Sequence, residues 1–292
     1  MTVFATSGVY SGASGVVFTA LGDSTTAGFG DRVNGSWRGW APIFAESLGV
    51  RLHNFATSGA RAADVERDQL PQALAAAPHL AAVLIGTNDT LRDPFSPARF
   101  AAHLERTVSA LCKAGSEVLT IRLPDPGRMF GLPGPLARPL ARRMAEINQA
   151  ADLIAARYGT VHFDAAANPD SYDRRMWSVD RLHPSERGHR FLACSYFDLL
   201  AERGIVGTLR TAGLAAARPS AEPSSPPPSR SAQALWMATA GTQWVIRRST
   251  DLLPGLIRLA WAEWRHGSPD LDLLDLDLSS KVRPDGVPGK VA

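Results

Sequence analysis

Short apolar runs rich in β-branched residues recur between residues 16 and 205, each followed by a longer segment with helical apolar spacing, and this alternation constrains the fold more than any other feature. A strand followed by a helix before the next strand begins is set up to run parallel to its predecessor, because the helix carries the chain back across one face of the sheet. Five strands are expected, at 16–21, 50–55, 80–85, 117–123 and a short one at 160–163. Helices are expected near 39–48, 63–77, 97–114, 136–158 and 185–203, the last introduced by Pro184 and Ser185 as N-terminal signals. The fold class is therefore α/β: a doubly wound, flavodoxin-like, five-stranded parallel sheet with helices on both faces, within residues 1–212.

The 292 residues exceed what one such domain requires, and 45% of them are hydrophobic, enough to bury a core. After Gly213 the composition shifts. Residues 213–233, rich in proline and serine, read as a linker, and 234–292 as a C-terminal extension. Within it Leu253, Ile257, Ala260 and Trp264 share a face at helical spacing, so a short amphipathic helix is expected over 251–265. The formal charge of +3 comes from scattered arginines with no basic run interleaved with aromatics, which speaks against nucleic-acid binding. Cys112 and Cys194 lie far apart and form no disulfide framework, so reduced thiols are expected. The first twenty residues carry no lysine or arginine and no unbroken apolar stretch, and no run approaches the ~18 apolar residues of a membrane span. A soluble, cytoplasmic protein is the expectation.

In doubly wound sheets, reactive groups collect beyond the carboxyl ends of the strands. Four unusual segments fall there: Gly22-Asp23-Ser24 after the first strand, Ser58-Gly59 after the second, Gly86-Thr87-Asn88-Asp89 after the third, and Asp180 to His183 ahead of the last helix. Acyl transfer needs a hydroxyl, a histidine that takes its proton, and a carboxylate that holds the ring in the correct tautomer. Ser24, His183 and Asp180 are candidates for those roles. Each segment also has a plain structural reading: Ser24, Asn88-Asp89 and Asp180 as local caps, Gly59 as a turn residue. Asp23 and Asp89 read as supporting hydrogen-bonding residues, and His189, within the last helix, as structural. His53, His79, His103, His162 and His266 show no spacing that pairs them as metal ligands, so no metal or other cofactor is expected.

Taken together and in order, the four segments resemble the sequence blocks of the SGNH (GDSL-type) hydrolase family, with Asn54 to Ala60 supplying the second block and Asp180-Arg181-Leu182-His183-Pro184 the fifth. The resemblance spans roughly residues 16–203. It implies an esterase acting on small-molecule esters through an acyl-serine, with Ser24 as nucleophile, His183 as base and Asp180 orienting it. It also implies an oxyanion hole made of the Ser24 and Gly59 N–H groups and the Asn88 side chain. Glycine suits such a place because backbone lacking a Cβ can approach a ligand, and asparagine offers an uncharged donor.

Two other readings stay open at this level: an acyltransferase, in which an acceptor alcohol intercepts the same acyl-serine, and a binding or scaffolding protein acting through its extension on a partner or membrane surface. Trp37, Arg38 and Trp40, or the Pro/Gly-rich connection 124–139 with Arg128, Met129 and Phe130, are candidates to line a substrate pocket.

Overall fold

The computed structural model describes residues 9–10 and 15–224, with positions 226, 229, 231 and 261. The expected helix over 251–265 lies outside the described residues apart from Trp261. In chain order the elements are β1 (Val9–Tyr10), β2 (Val17–Gly22), the small hairpin β3 (Arg32–Val33) and β4 (Ser36–Trp37), α1 (Trp40–Leu48) and β5 (Arg51–Asn54). Next come α2 (Ala62–Asp64), a π-helical turn (Val65–Gln69), α3 (Leu70–Ala75), β6 (Leu80–Leu84), α4 (Thr87–Leu91), α5 (Pro97–Lys113) and β7 (Glu117–Arg122). The series closes with α6 (Pro126–Phe130), α7 (Gly134–Tyr158), β8 (Val161–Asp164), two 3-10 turns (Pro169–Tyr172 and Arg174–Met176), α8 (Glu186–Glu202) and α9 (Ile205–Thr211).

The main sheet runs β1-β5-β2-β6-β7-β8, with β1 antiparallel at one edge and every other pair parallel. The five expected strands thus form the expected parallel sheet, and the two-residue β1, too short to show a period, extends it. Chain order reverses between β2 and β6, which makes this the topological switch point where ligand crevices form. In register, Gly22 at the end of β2 pairs with Leu84 at the end of β6, so the loop 23–30 and the segment 85–89 that enters α4 leave the sheet side by side.

Alternation along β2 explains the two cores. Phe18 and Ala20 face a layer with Trp40, Phe44, Tyr196 and Leu200, while Leu21 faces Val65, Val83, Leu104, Ile147 and Ile154. Trp40, a candidate for the pocket, is instead fully buried in the first core, 5.3 Å from the Tyr196 ring and 6.1 Å from Phe18. The expected single helix over 63–77 is interrupted by the π turn. Pro71 has no N–H for the carbonyl of Arg67 and its ring would crowd that carbonyl, so the helix widens just before it. The expected irregular connection 124–139 carries α6 and the first turn of α7.

The first part of the expected linker is not a free tether. Leu214 and Ala216 join the first core, the Ala217 N–H donates to the Ser47 carbonyl at 2.8 Å, and Arg218 pairs with Asp198 at 2.7 Å. The Ser224 N–H then donates to Glu186 at 2.8 Å, so residues 218–224 lie along α8. Proline-rich chain without internal hydrogen bonds can run extended over a helix when its polar groups find partners there.

Candidate active site

Three elements deliver the reacting groups to one place. Ser24 leaves β2 in a tight turn, in which the Ala27 N–H donates to the Asp23 carbonyl at 2.9 Å and the Phe29 N–H to the Ser24 carbonyl at 3.0 Å. Gln69 braces the strand end: its side chain accepts from the Gly22 N–H at 2.8 Å and donates to the Gly22 carbonyl at 2.9 Å. This buried amide, aimed by the π turn, carries no signal of its role in the sequence.

His183 sits at the end of the loop before α8. The Ser178 N–H donates to the His183 carbonyl at 2.8 Å, and Ser185 caps α8 by accepting from the Gly188 N–H at 3.3 Å. Arg181 adopts φ 55°, a left-handed conformation uncommon outside glycine, and folds the loop back so that positions 180 and 183 meet. Gly30 holds the two loops together: a Cβ there would lie 1.9 Å from the Pro184 carbonyl oxygen, so only glycine permits the approach.

Asp180 Oδ2 accepts from His183 Nδ1 at 2.6 Å, and His183 Nε2 lies 2.9 Å from Ser24 Oγ. Asp180 Oδ1 accepts from the N–H groups of Leu182 and His183, each at 3.0 Å. Burial pushes the Asp180 carboxyl up, but the bond to and charge of His183 and the two backbone donors outweigh it and hold the carboxyl below its usual value. Asp180 is thus held as a carboxylate. Phe29 lies against the His183 ring at 5.4 Å and stacks on Trp37 at 5.0 Å. Its carbonyl accepts from His189 Nε2 at 2.8 Å, while His189 Nδ1 accepts from the Trp40 N–H at 3.2 Å. With one ring nitrogen donating and the other accepting, His189 is neutral, and burial lowers its pKa to about 4.

Asn88, at the start of α4, donates through Nδ2 to the Ala60 carbonyl at 3.1 Å and to Asp23 Oδ2 at 3.3 Å. Gly59, next to Ala60, has φ 81° and its carbonyl accepts from Arg92 at 2.8 Å. The structure therefore brings Ser24, Asp180, His183 and Asn88 into one site, with Gly59 joined to it through Ala60. Asp23 also accepts from the Thr25 N–H at 3.0 Å, and Asp89 accepts from the Ala62 N–H at 3.2 Å, so both make supporting hydrogen bonds.

Burial raises Asp23 to about 6, against the pull of the Thr25 N–H and the charge of His183. It raises Asp89 to about 7, against the Ala62 N–H and Arg61, with the Asp23 charge adding to the rise. Between the unfolded carboxyl value of about 4 and these raised values, the folded state keeps protons that the unfolded chain has released, so stability drops as pH rises through that window. Asp89→Asn keeps an oxygen for the Ala62 N–H and cannot ionise. It should be more stable than the parent at pH 8 by on the order of 1–3 kcal/mol, with the gap closing towards pH 4, as read by urea denaturation at both pH values.

A pocket opens beside Ser24 and Asn88. Of the residues suggested for it by sequence, Met129 is a wall; Arg38 instead pairs with Asp31 at 2.9 Å and Glu186 at 3.2 Å, and Arg128 stacks over Tyr172 at 3.7 Å. Walls that sequence did not signal come from Ile121, Trp177 and Phe191, which are far apart in the chain and look like ordinary core positions. Of the cysteines, Cys194 is buried and Cys112 partly buried; both are free, and burial raises both thiols.

The switch-point sheet and the loops gathered on it belong to an SGNH-type carboxylic ester hydrolase. Residues 20–191, more than half of the chain, match the GDSL-like Lipase/Acylhydrolase family, and the chain belongs to that family. Among solved structures, it is similar to the acetylxylan esterase Axe2 of Geobacillus stearothermophilus: 19% identity, TM-score 0.53, covering 64% of this chain and 94% of that one. It is also similar to TesA (22%, 0.52, covering 64% and 98%) and to LAE5, an alpha/beta hydrolase from the metagenome of Lake Arreo, Spain (20%, 0.52, covering 66% and 97%). At these identities the likeness shows the fold. No curated protein matches the chain in sequence.

Proposed function

We propose that this enzyme hydrolyses carboxylic esters through an acyl-serine intermediate on Ser24. As Ser24 Oγ attacks the carbonyl carbon, His183 Nε2 takes its proton, and the Asp180 carboxylate keeps the other ring proton on Nδ1 and stabilises the imidazolium. The oxyanion is received by the Ser24 and Gly59 N–H groups and by Asn88 Nδ2. Both Asn88 N–H bonds are engaged at rest, and the longer one, 3.3 Å to Asp23, is the one exchanged for the oxyanion while Ala60 retains the amide. The imidazolium gives its proton to the leaving alcohol, and water, deprotonated in turn by His183, releases the acid.

The observation that supports this reading most is the unbroken relay of 2.6 Å and 2.9 Å from carboxylate to ring to hydroxyl. In Axe2, catalytic mutants replace one serine, one aspartate and one histidine, the last two three positions apart, as Asp180 and His183 are. The test is a serine-directed phosphonate: Ser24 is the residue modified, esterase activity is lost in step with labelling, and labelling elsewhere refutes the assignment. A competing acyltransferase would turn acyl-enzyme into acylated acceptor faster than into free acid when an alcohol is added.

Asn88→Ala should lower kcat by about 10²–10³ with a smaller change in KM, since the donor acts on charge that exists only in the transition state. A loss below about fivefold in steady-state kinetics would remove Asn88 from the oxyanion hole.

A further inference from the structure

The geometry points to an acyl-chain pocket in this enzyme, so that esters of medium-chain fatty acids are preferred to acetyl esters; the inference rests on Ser24 being the nucleophile. The pocket beside Ser24 is lined by Ile121 at the end of β7 and Leu123 just beyond it, by Phe191 and Leu192 of α8, and by Met129 of α6 and Trp177. Its polar side chains are chiefly those next to the nucleophile in chain or site, Asp23, Thr25, Thr87 and Asn88; Ser171 is the one further hydroxyl among the described lining residues.

Two polar side-chain groups at or beside this lining are already satisfied by protein. The Trp177 indole N–H donates to the Ser171 carbonyl at 2.9 Å, and the neighbouring Tyr172 hydroxyl donates to the Ala166 carbonyl at 2.9 Å. A sugar bearing several hydroxyls would lose water there and find few partners, whereas methylenes lose only water.

Proton transfer decides which half of the ester enters. The leaving alcohol must lie at His183 Nε2 to receive its proton, and the His183 ring is not one of the pocket's walls. Asn88, the donor proposed for the carbonyl oxygen, is one. The acyl group is therefore the half directed inward. Ala165, 3% exposed and anchored by its N–H to the Arg122 carbonyl at 3.1 Å, also lines this space and offers only a methyl group. Its small size leaves room that a longer side chain would occupy.

The test uses two ester series on the full chain: p-nitrophenyl esters of lengthening straight-chain acids, and acetates of lengthening alcohols. At about fourfold per buried methylene, kcat/KM should rise on the order of a hundredfold from the acetyl to the hexanoyl ester. The alcohol series should stay within about threefold. Ala165→Leu should collapse the hexanoyl-to-acetyl ratio towards one, and Met129→Ala should shift the optimum to longer acids, a check that stands even if the leucine variant fails to fold. An acetyl ester cleaved as well as the hexanoyl ester overturns the pocket, and chain-length dependence in the alcohol series overturns its assignment to the acyl group. No hydrolysis of any ester in either series would instead overturn the Ser24 reading beneath it.

Discussion

Ser24→Ala and His183→Ala should each lower kcat by on the order of 10⁴–10⁶, and the double variant should be little worse than either alone. Hydroxyl and imidazole work as one unit across the 2.9 Å contact: without the ring the hydroxyl keeps its proton, and without the hydroxyl the ring has nothing to deprotonate. Residual activity comes from the oxyanion donors and substrate binding. The fold should survive, because the loop around position 183 is held by backbone bonds, from the Ser178 N–H to the His183 carbonyl and from the His183 N–H to Asp180, which alanine retains. Single-turnover kinetics with thermal melts provides the measurement. Multiplicative losses in the double variant would mean that the two residues act independently.

Asp180→Asn should cost about 10⁴ in kcat although it is nearly isosteric. Oδ1 accepts two backbone N–H groups, from Leu182 and His183, so the oxygen of an asparagine is kept at that position and its NH₂ is forced to face His183 Nδ1. A donor facing Nδ1 requires that nitrogen to be bare, which moves the ring proton to Nε2. The imidazole then donates to Ser24 Oγ instead of accepting from it, and cannot act as the base. The negative charge that would steady the imidazolium is lost as well. Circular dichroism should be unchanged, and a variant retaining more than about a tenth of parental kcat would show that Asp180 does not set the tautomer.

Much of this is legible in the sequence. The strands were visible because β-branched apolar runs of four to seven residues are bounded by turn signals, and they pair in the flavodoxin-like order. Ser24 and Asn88 stood out because they follow strand ends, and Asp180 and His183 because they lie just ahead of the last helix, all at the side of the sheet where crevices form. Other features left no local trace. The two-residue β1 has no period to read, whereas the π turn did have a local trace in Pro71, which the expected unbroken helix over 63–77 leaves out of account. Gln69 reads as one polar residue on an amphipathic segment until the turn directs it to Gly22. The proline- and serine-rich stretch 213–224 reads as a tether because its composition cannot form regular structure, yet its carbonyls and N–H groups find partners along α8 and on Ser47.

Periodicity, turn residues and the order of a few polar segments are local properties, so the sequence by itself determined the layered α/β class, the strand ends at which chemistry is sited and the residues available to carry it. Contacts between residues more than a hundred positions apart depend on the whole packed sheet. Only the tertiary structure could bring the Ser24 hydroxyl to the His183 ring, turn Trp40 into the core, and gather Ile121, Met129, Trp177 and Phe191 around one space.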